Sequence, residues 1–306
     1  MFSNKIAIVK IQSGASLAPL HSTPHSKFSI GPHVSAHGGL ANAPANARRV
    51  GATGFGMFVK NQRQWFAPPL AQGEIDAFKS ALAENGYAPA QVLPHAGYLI
   101  NLANPEEDAR MASLDSFVAE LRRCHALGLE TLVVHPGNHL GASTVPDALR
   151  RVGESICHAL AETEGVRVVL ENTAGQGTAL GRNLEELAAI LDTVENRARV
   201  GVCLDTCHAF VSGRDLRAEG AAAKFLDDAT RLFGNETLAG FHFNDAQGLP
   251  GSRLDRHAPL GEGRLGWDVF QTLLRDNRCA NLPLILETPE EDRWPGEIRR
   301  LMEMAM

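Results

Sequence analysis

Acidic side chains are missing from the first quarter of this chain. The first is Glu74, so residues 1–73 are free of Asp and Glu. Seven of the 29 Lys and Arg lie in that stretch, which leaves 22 of them against all 35 Asp and Glu in the remainder. A formal net charge of −6 argues against a protein that coats nucleic acid without selectivity, yet the basic front end can still meet a polyanion. Long apolar runs are also lacking. Segments such as Leu282–Leu286 are short, and none approaches the roughly 18 residues a membrane-spanning helix needs. Cysteine is scarce and odd in number: Cys124, Cys157, Cys203, Cys207 and Cys279 read as thiols in a reducing compartment rather than as a disulfide framework. Ile6–Ile11 is too short for a secretory signal core and is broken by Lys10. Residues 1–27 lack the arginine of a transit peptide. A cytoplasmic protein is expected, nucleoid-associated if bacterial, with residues 1–28 an extension outside the main fold. Nothing in the sequence opposes a monomer.

At 306 residues and 44% hydrophobic content, the chain can build a large core. From Ser29 onward, short apolar runs alternate with amphipathic helical patterns. Strands are expected at Ser29–Val34, Gly54–Val59, Gln91–Leu93, Thr131–Val134, Arg167–Leu170, Val200–Leu204, Leu238–Phe243 and Pro283–Leu286. Helices are expected at Ile75–Asn85, Pro105–Leu127, Val145–Thr163, Leu184–Val194, Ala222–Phe233, Trp267–Asp276 and Pro295–Met304. Eight such units predict an α/β fold, a (β/α)8 TIM barrel over 29–306, ahead of a doubly wound open sheet.

What closes those strands matters most. Val200–Leu204 delivers Asp205 and then His208; His33, His95, His135, Glu171, His242 and Glu287 end or follow other strands. Successive members from His95 to Glu287 are 40, 36, 34, 37 and 45 residues apart, about one βα unit each. In a barrel, strand C-termini surround one mouth. A lone histidine there is more often a hydrogen-bonded structural group, and a lone carboxylate is often a helix N-cap. Six together would crowd charge into a poorly hydrated site unless cations compensate. Asp255 and His257, in a Gly-rich loop, raise the candidates to nine with His208: five His and four carboxylates. These are zinc-type donors, and nine exceed what one or two open catalytic ions require. Three divalent ions sharing a carboxylate fit the count; paired metals recur in phosphate-ester hydrolysis.

Two further stretches are polar or apolar out of place. Lys60–Trp65 (KNQRQW) either forms a plain surface loop or offers Arg63 to a phosphate or base. Tyr98 and Leu99, beyond His95, either pack their own loop or wedge into a base stack.

Taken together, the segments HVSAHGGL (33–40), KNQRQW (60–65), LPHAGYLINL (93–102), HPGNHLG (135–141) and ENTAGQGTALG (171–181) resemble the endonuclease IV family of apurinic/apyrimidinic endonucleases. GVCLDTCHAF (201–210), HFNDA (242–246), DRHAPLGEG (255–263) and LILET (284–288) extend the resemblance to nearly everything after Ser29. It implies a TIM barrel with three zinc ions, manganese being the alternative at one position. His95, His135 and Glu171 would hold the first. Glu171 as bridge, with Asp205, His242 and Glu287, would hold the second, and His208, Asp255 and His257 the third. It implies Glu171 and Glu287 as catalytic residues, with a metal-bound hydroxide as nucleophile. The partner implied is double-stranded DNA with abasic sites, entered by Arg63, Tyr98 and Leu99. The product would be a cut 5′ to the lesion, in base excision DNA repair. Ala96-Gly97 depart from the polar pair common in the family. Two alternatives stand beside this: a single-metal sugar isomerase or epimerase using Glu171, Asp205, His242 and Glu287, and a catalytically silent lesion-binding protein.

Overall fold

The computed structural model describes residues 27–306. The expected extension over 1–28, Ile6–Ile11 included, falls outside them except for Lys27 and Phe28. Phe28 is buried against the barrel, and the Lys27 carbonyl accepts a hydrogen bond from Asn281.

The chain runs β1 (Ser29–Pro32), α1 (Asn42–Arg49), β2 (Phe55–Phe58), α2 (Gln72–Glu84), β3 (Val92–His95), α3 (Glu107–Leu127), β4 (Thr131–Val134), α4 (Val145–Ala161) and β5 (Arg167–Glu171). It continues with α5 (Leu184–Asp192), β6 (Val200–Asp205), α6 (Thr206–Val211), α7 (Ala221–Phe233), β7 (Leu238–His242), a short hairpin of β8 (Asp245–Ala246) and β9 (His257–Ala258), α8 (Trp267–Arg275), β10 (Pro283–Leu286) and α9 (Trp294–Met304). Local chemistry sets several boundaries. Thr144 and Asn183 cap α4 and α5 by accepting from the Asp147 and Glu186 amides. Gly128, in the left-handed region at φ 77°, ends α3.

The large sheet has the order β1-β10-β7-β6-β5-β4-β3-β2, all parallel. A parallel bridge between His33 and Gly56 joins its two ends and closes the TIM barrel. The eight expected strands are all present, within a few residues of their predicted ends. The helices α1 and α6 and the β8–β9 hairpin were not foreseen.

The main hydrophobic core lies between the strands and their helices. A second, smaller cluster fills the barrel: Leu93, Val133, Val169, Cys203, Ala239 and Ile285. Burying each large apolar side chain of that layer contributes about 1.5–3 kcal/mol. This layer positions the site. Side chains two residues apart on a strand share a face, so Leu93, Val133, Val169, Cys203 and Ile285 put His95, His135, Glu171, Asp205 and Glu287 on the inward face, one step nearer the mouth. On β7 the register shifts, pairing Cys203 with Gly240, and Gly240 is two residues before His242. A Cβ at Gly240 would come 2.7 Å from Leu93 Cδ2, so glycine is needed where that leucine fills the barrel.

Candidate metal centre

Glu171, fully buried at the end of β5, is the hub. Its Oε2 lies 3.0 Å from His135 Nε2 and 3.1 Å from His95 Nε2. Its Oε1 lies 2.9 Å from His242 Nδ1 and 3.2 Å from His208 Nδ1. Glu287 Oε2 is 3.5 Å from the same His242 nitrogen. Asp255 Oδ1 stands 3.2 Å from His208 Nε2 and 3.6 Å from His257 Nε2, and Asp205 Oδ2 is 4.0 Å from the latter. The nine residues singled out from the sequence therefore converge. Three groups emerge whose ligand atoms lie within 4.8 Å of one another: His95 with His135 and Glu171; Glu171 with Asp205, His242 and Glu287; His208 with Asp255 and His257. A further group, Asp205, Cys207 and His257, overlaps two of these.

The surrounding polar groups orient the donors. His95 Nδ1–H donates to the Ala96 carbonyl at 2.7 Å, which turns Nε2 toward Glu171. His257 Nδ1–H likewise donates to the Glu287 carbonyl at 3.1 Å, and its Nε2 is buried with no hydrogen-bond partner. A buried imidazole lone pair facing carboxylates and no donor is what a cation would satisfy. Asp205 serves two purposes: Oδ1 caps α6 by accepting from the His208 amide at 2.6 Å, and Oδ2 faces Asn244 and His257. Asn244 also donates to Glu287 Oε2 at 3.4 Å and accepts from the Glu287 amide at 2.8 Å.

Electrostatics agree with a cation site. Burial alone would raise the Glu171 carboxyl, but the His242 and His135 charges outweigh it and hold it well below the carboxylate range. Burial opposes ionisation of Asp255 too, yet the hydrogen bond from His208 brings it to about 2. Burial likewise disfavours charge on His208, but Asp205 and Asp255 hold its proton well above the usual range. Burial acts the same way on His242, overcome by Cys203 and Glu171. Where no cation sits, protons on imidazoles balance these carboxylates.

Sequence reasoning missed Asp245, fully buried beside the cluster. Its carboxylate accepts five backbone amides: Ala246 and Leu265 at 2.8 Å, Gly261 at 2.9 Å, Gly263 at 3.2 Å and Gly266 at 3.3 Å. A Cβ at Gly263 would sit 2.3 Å from Asp245 Oδ1, which explains glycine there. The loop that carries Asp255 and His257 is thereby folded around one carboxylate. The glycines of LGEG (260–263) were the available signal. His33, seen at a strand end but left out of the nine, lies over the Phe58 ring at 4.4 Å.

Arg63 is exposed, and no hydrogen bond or ion pair engages its guanidinium among the described residues. Tyr98 and Leu99 occupy the tip of a turn closed by Ile100 N–H to Gly97 O at 3.2 Å; they are 63% and 37% exposed. Apart from Met306, every large exposed apolar side chain among the described residues lies on a segment following a strand's C-terminal end: Trp65, Phe66, Tyr98, Leu99, Leu140, Leu249 and Leu254. Apolar side chains thus flank the cluster's mouth on several loops. Among the described residues, no helix is long and apolar enough to cross a membrane, and all five cysteines are free.

Residues 44–305 match the xylose isomerase-like TIM barrel family. The chain belongs to that family. Endonuclease IV from Thermus thermophilus superposes with a TM-score of 0.78 at 32% identity, over 90% of this chain and 97% of that one. This bears out the resemblance carried by the sequence motifs. A D-tagatose 3-epimerase-like protein superposes with a TM-score of 0.71 at 17% identity, over 91% and 98%. D-psicose 3-epimerase from Clostridium cellulolyticum gives 0.67 at 16%, also over 91% and 98%. The barrel fold is therefore common to a nuclease and to sugar epimerases, and the side chains at the mouth have to decide between them.

Proposed function

We propose that the protein is a zinc-dependent apurinic/apyrimidinic endonuclease, cutting the phosphodiester 5′ to an abasic site to leave a 3′-hydroxyl and a 5′-deoxyribose phosphate. The observation that carries this reading is the third donor group. His208, Asp255 and His257 gather beside the other six residues, although a single-metal epimerase would need only Glu171, Asp205, His242 and Glu287.

His95, His135 and Glu171 would hold one ion, Glu171, Asp205, His242 and Glu287 a second, and His208, Asp255 and His257 a third. Bound divalent ions supply a nucleophile from water near neutral pH and positive charge for the phosphoryl oxygens. The chain's own contribution is placement. Asn244 fixes Asp205 and Glu287, the Ala96, Asn172 and Glu287 carbonyls fix the rings of His95, His208 and His257, and the apolar layer below excludes water from the barrel. Protons on the imidazoles only balance the carboxylates of the empty site, whereas divalent ions would give it the surplus positive charge that attracts a phosphodiester. Tyr98 and Leu99 are proposed to fill the gap in the stack, and Arg63 to meet the duplex beside it. The reading is tested by incubating an abasic duplex with the protein, with and without chelator. A chelator-sensitive nick 5′ to the lesion supports it; no nick refutes it.

The fold shared with the epimerases keeps one rival in view. An epimerase would bind about one ion and turn over a ketose while leaving the duplex whole.

A further inference from the structure

Helix α3 mounts two loops at once. Ser116, Glu120 and Arg123 recur at i, i+4 and i+7, on one helical face. Ser116 Oγ donates to the Trp65 carbonyl at 2.7 Å. Arg123 donates to the Val59 carbonyl at 2.7 Å and to the Pro68 carbonyl at 2.8 Å. Between them Glu120, 1% exposed, makes a buried ion pair: its Oε1 lies 3.0 Å from Lys60 Nζ. Lys60 Nζ turns back to donate to the Gln64 carbonyl at 2.5 Å, bracketing Arg63. The other oxygen of Glu120 accepts from the Gly97 amide at 3.0 Å, one residue before Tyr98. The two loops also touch: a Cβ on Gly97 would come 3.3 Å from the Gln62 carbonyl oxygen and 3.2 Å from Glu120 Oε1.

A buried ion pair is a poor source of stability, because desolvating two charges offsets much of their attraction. What it fixes is geometry. One carboxylate faces an ammonium from one loop and an amide from another: losing the first strands a charge in a dry interior, and losing the second leaves a buried carboxylate oxygen and an N–H without their hydrogen bond. We propose that the Lys60–Glu120 pair is a positioning device that couples the Arg63 loop to the Tyr98–Leu99 turn, so that both engage a damaged duplex as one rigid unit. This rests on the endonuclease reading for its purpose, but the coupling itself is a mechanical property of the chain.

The test is hydrogen–deuterium exchange on the metal-loaded, full-length chain, comparing the parent with Lys60→Met, Glu120→Gln and the double variant. Coupling requires exchange to rise by roughly tenfold in both 61–66 and 96–100 whenever either partner is changed. A rise confined to one of the two loops, or no rise in either, overturns it. The double variant leaves no buried charge unpaired, so loosening of both loops there reports the lost tie rather than a stranded ion; it also serves if a single variant fails to fold. With abasic duplex, KM should rise while hydrolysis of bis(4-nitrophenyl) phosphate and metal content stay at parental values. Parallel loss of small-diester hydrolysis would indicate damage to the metal cluster and overturn the inference. The exchange measurement needs no substrate. A parent that never nicks abasic duplex therefore defeats the functional reading, whereas uncoupled loops defeat this one.

Discussion

Glu171 turns one carboxylate oxygen to Nδ1 of His242 at 2.9 Å and leaves the other for two imidazoles on the far side, His135 and His95. One residue thus belongs to two donor groups. Glu171→Gln keeps the shape and halves the accepting capacity, so it should disturb two ions together. Turnover on abasic duplex should fall by about 10²-fold or more, with the far-UV circular dichroism unchanged because the apolar layers are untouched. Near-parental turnover would remove Glu171 from the bridging position.

Metal loading should release protons. In the metal-free protein, His208 and His242 hold their protons well above the ordinary histidine range despite burial, because Asp205, Glu171 and their neighbours compensate. A ligating imidazole must be neutral at the ligating nitrogen. At pH 7 zinc should therefore displace about one proton or more per chain, and the number should fall as pH is raised above those shifted values. Calorimetric titration in two buffers of different ionisation enthalpy measures it. Saturation at three ions with no proton release would contradict the charge balance described here; saturation at one would favour an epimerase.

Asp245 is hydrogen-bonded to none of the nine donors, yet it gathers five amides of the loop that brings Asp255 and His257 to the mouth. Asp245→Asn can accept only at one oxygen, leaving either two buried or three partly buried N–H groups unpaired, at up to about 1–3 kcal/mol each. We expect loss of one ion out of three, with the other two retained. Elemental analysis after dialysis is the check. Retention of all three, or loss of all three, would each be inconsistent with a local role for this carboxylate.

The ligand pattern was readable because it obeys a simple rule. Strands at one-unit spacing end on donors, and period-two alternation puts Leu93 and His95, Val169 and Glu171, or Ile285 and Glu287 on the same inward face. Elements without periodicity were not readable. Asn42–Arg49 has little apolar rhythm and starts on Asn-Ala-Pro, and Thr206–Val211 is a six-residue helix too short to show one. The β8–β9 hairpin is two residues a side, and the segment after it is folded back by long-range bonds to the Asp245 carboxylate, which no local propensity encodes. The same holds for Lys60 and Glu120, 60 positions apart in sequence and paired only because the barrel brings β2 and α3 together.

The selection of damaged DNA should separate from its chemistry. A nucleotide reaching a concave cluster has to leave the helix, at a cost of a few kcal/mol that is least where the base is already gone. Something must occupy the space behind it. Tyr98 and Leu99 sit at the two central positions of a tight turn, and Tyr98 meets Phe58 edge-on at 5.3 Å, which braces the ring without covering it. Because both side chains are substantially exposed, cutting them to alanine should cost only about 1–2 kcal/mol of stability, most of it the edge-on ring pair with Phe58. Each side chain that stacks on or fills a base step contributes about 1–3 kcal/mol to binding. Tyr98→Ala with Leu99→Ala should therefore bind abasic duplex more weakly by roughly thirtyfold or more, with full zinc content and parental hydrolysis of a small diester. If the pair merely packs its own loop, the melting temperature or the zinc content should fall instead. Unaltered affinity and cutting would show that the wedge lies elsewhere on the mouth, with Leu140 and Leu254 as the next exposed candidates.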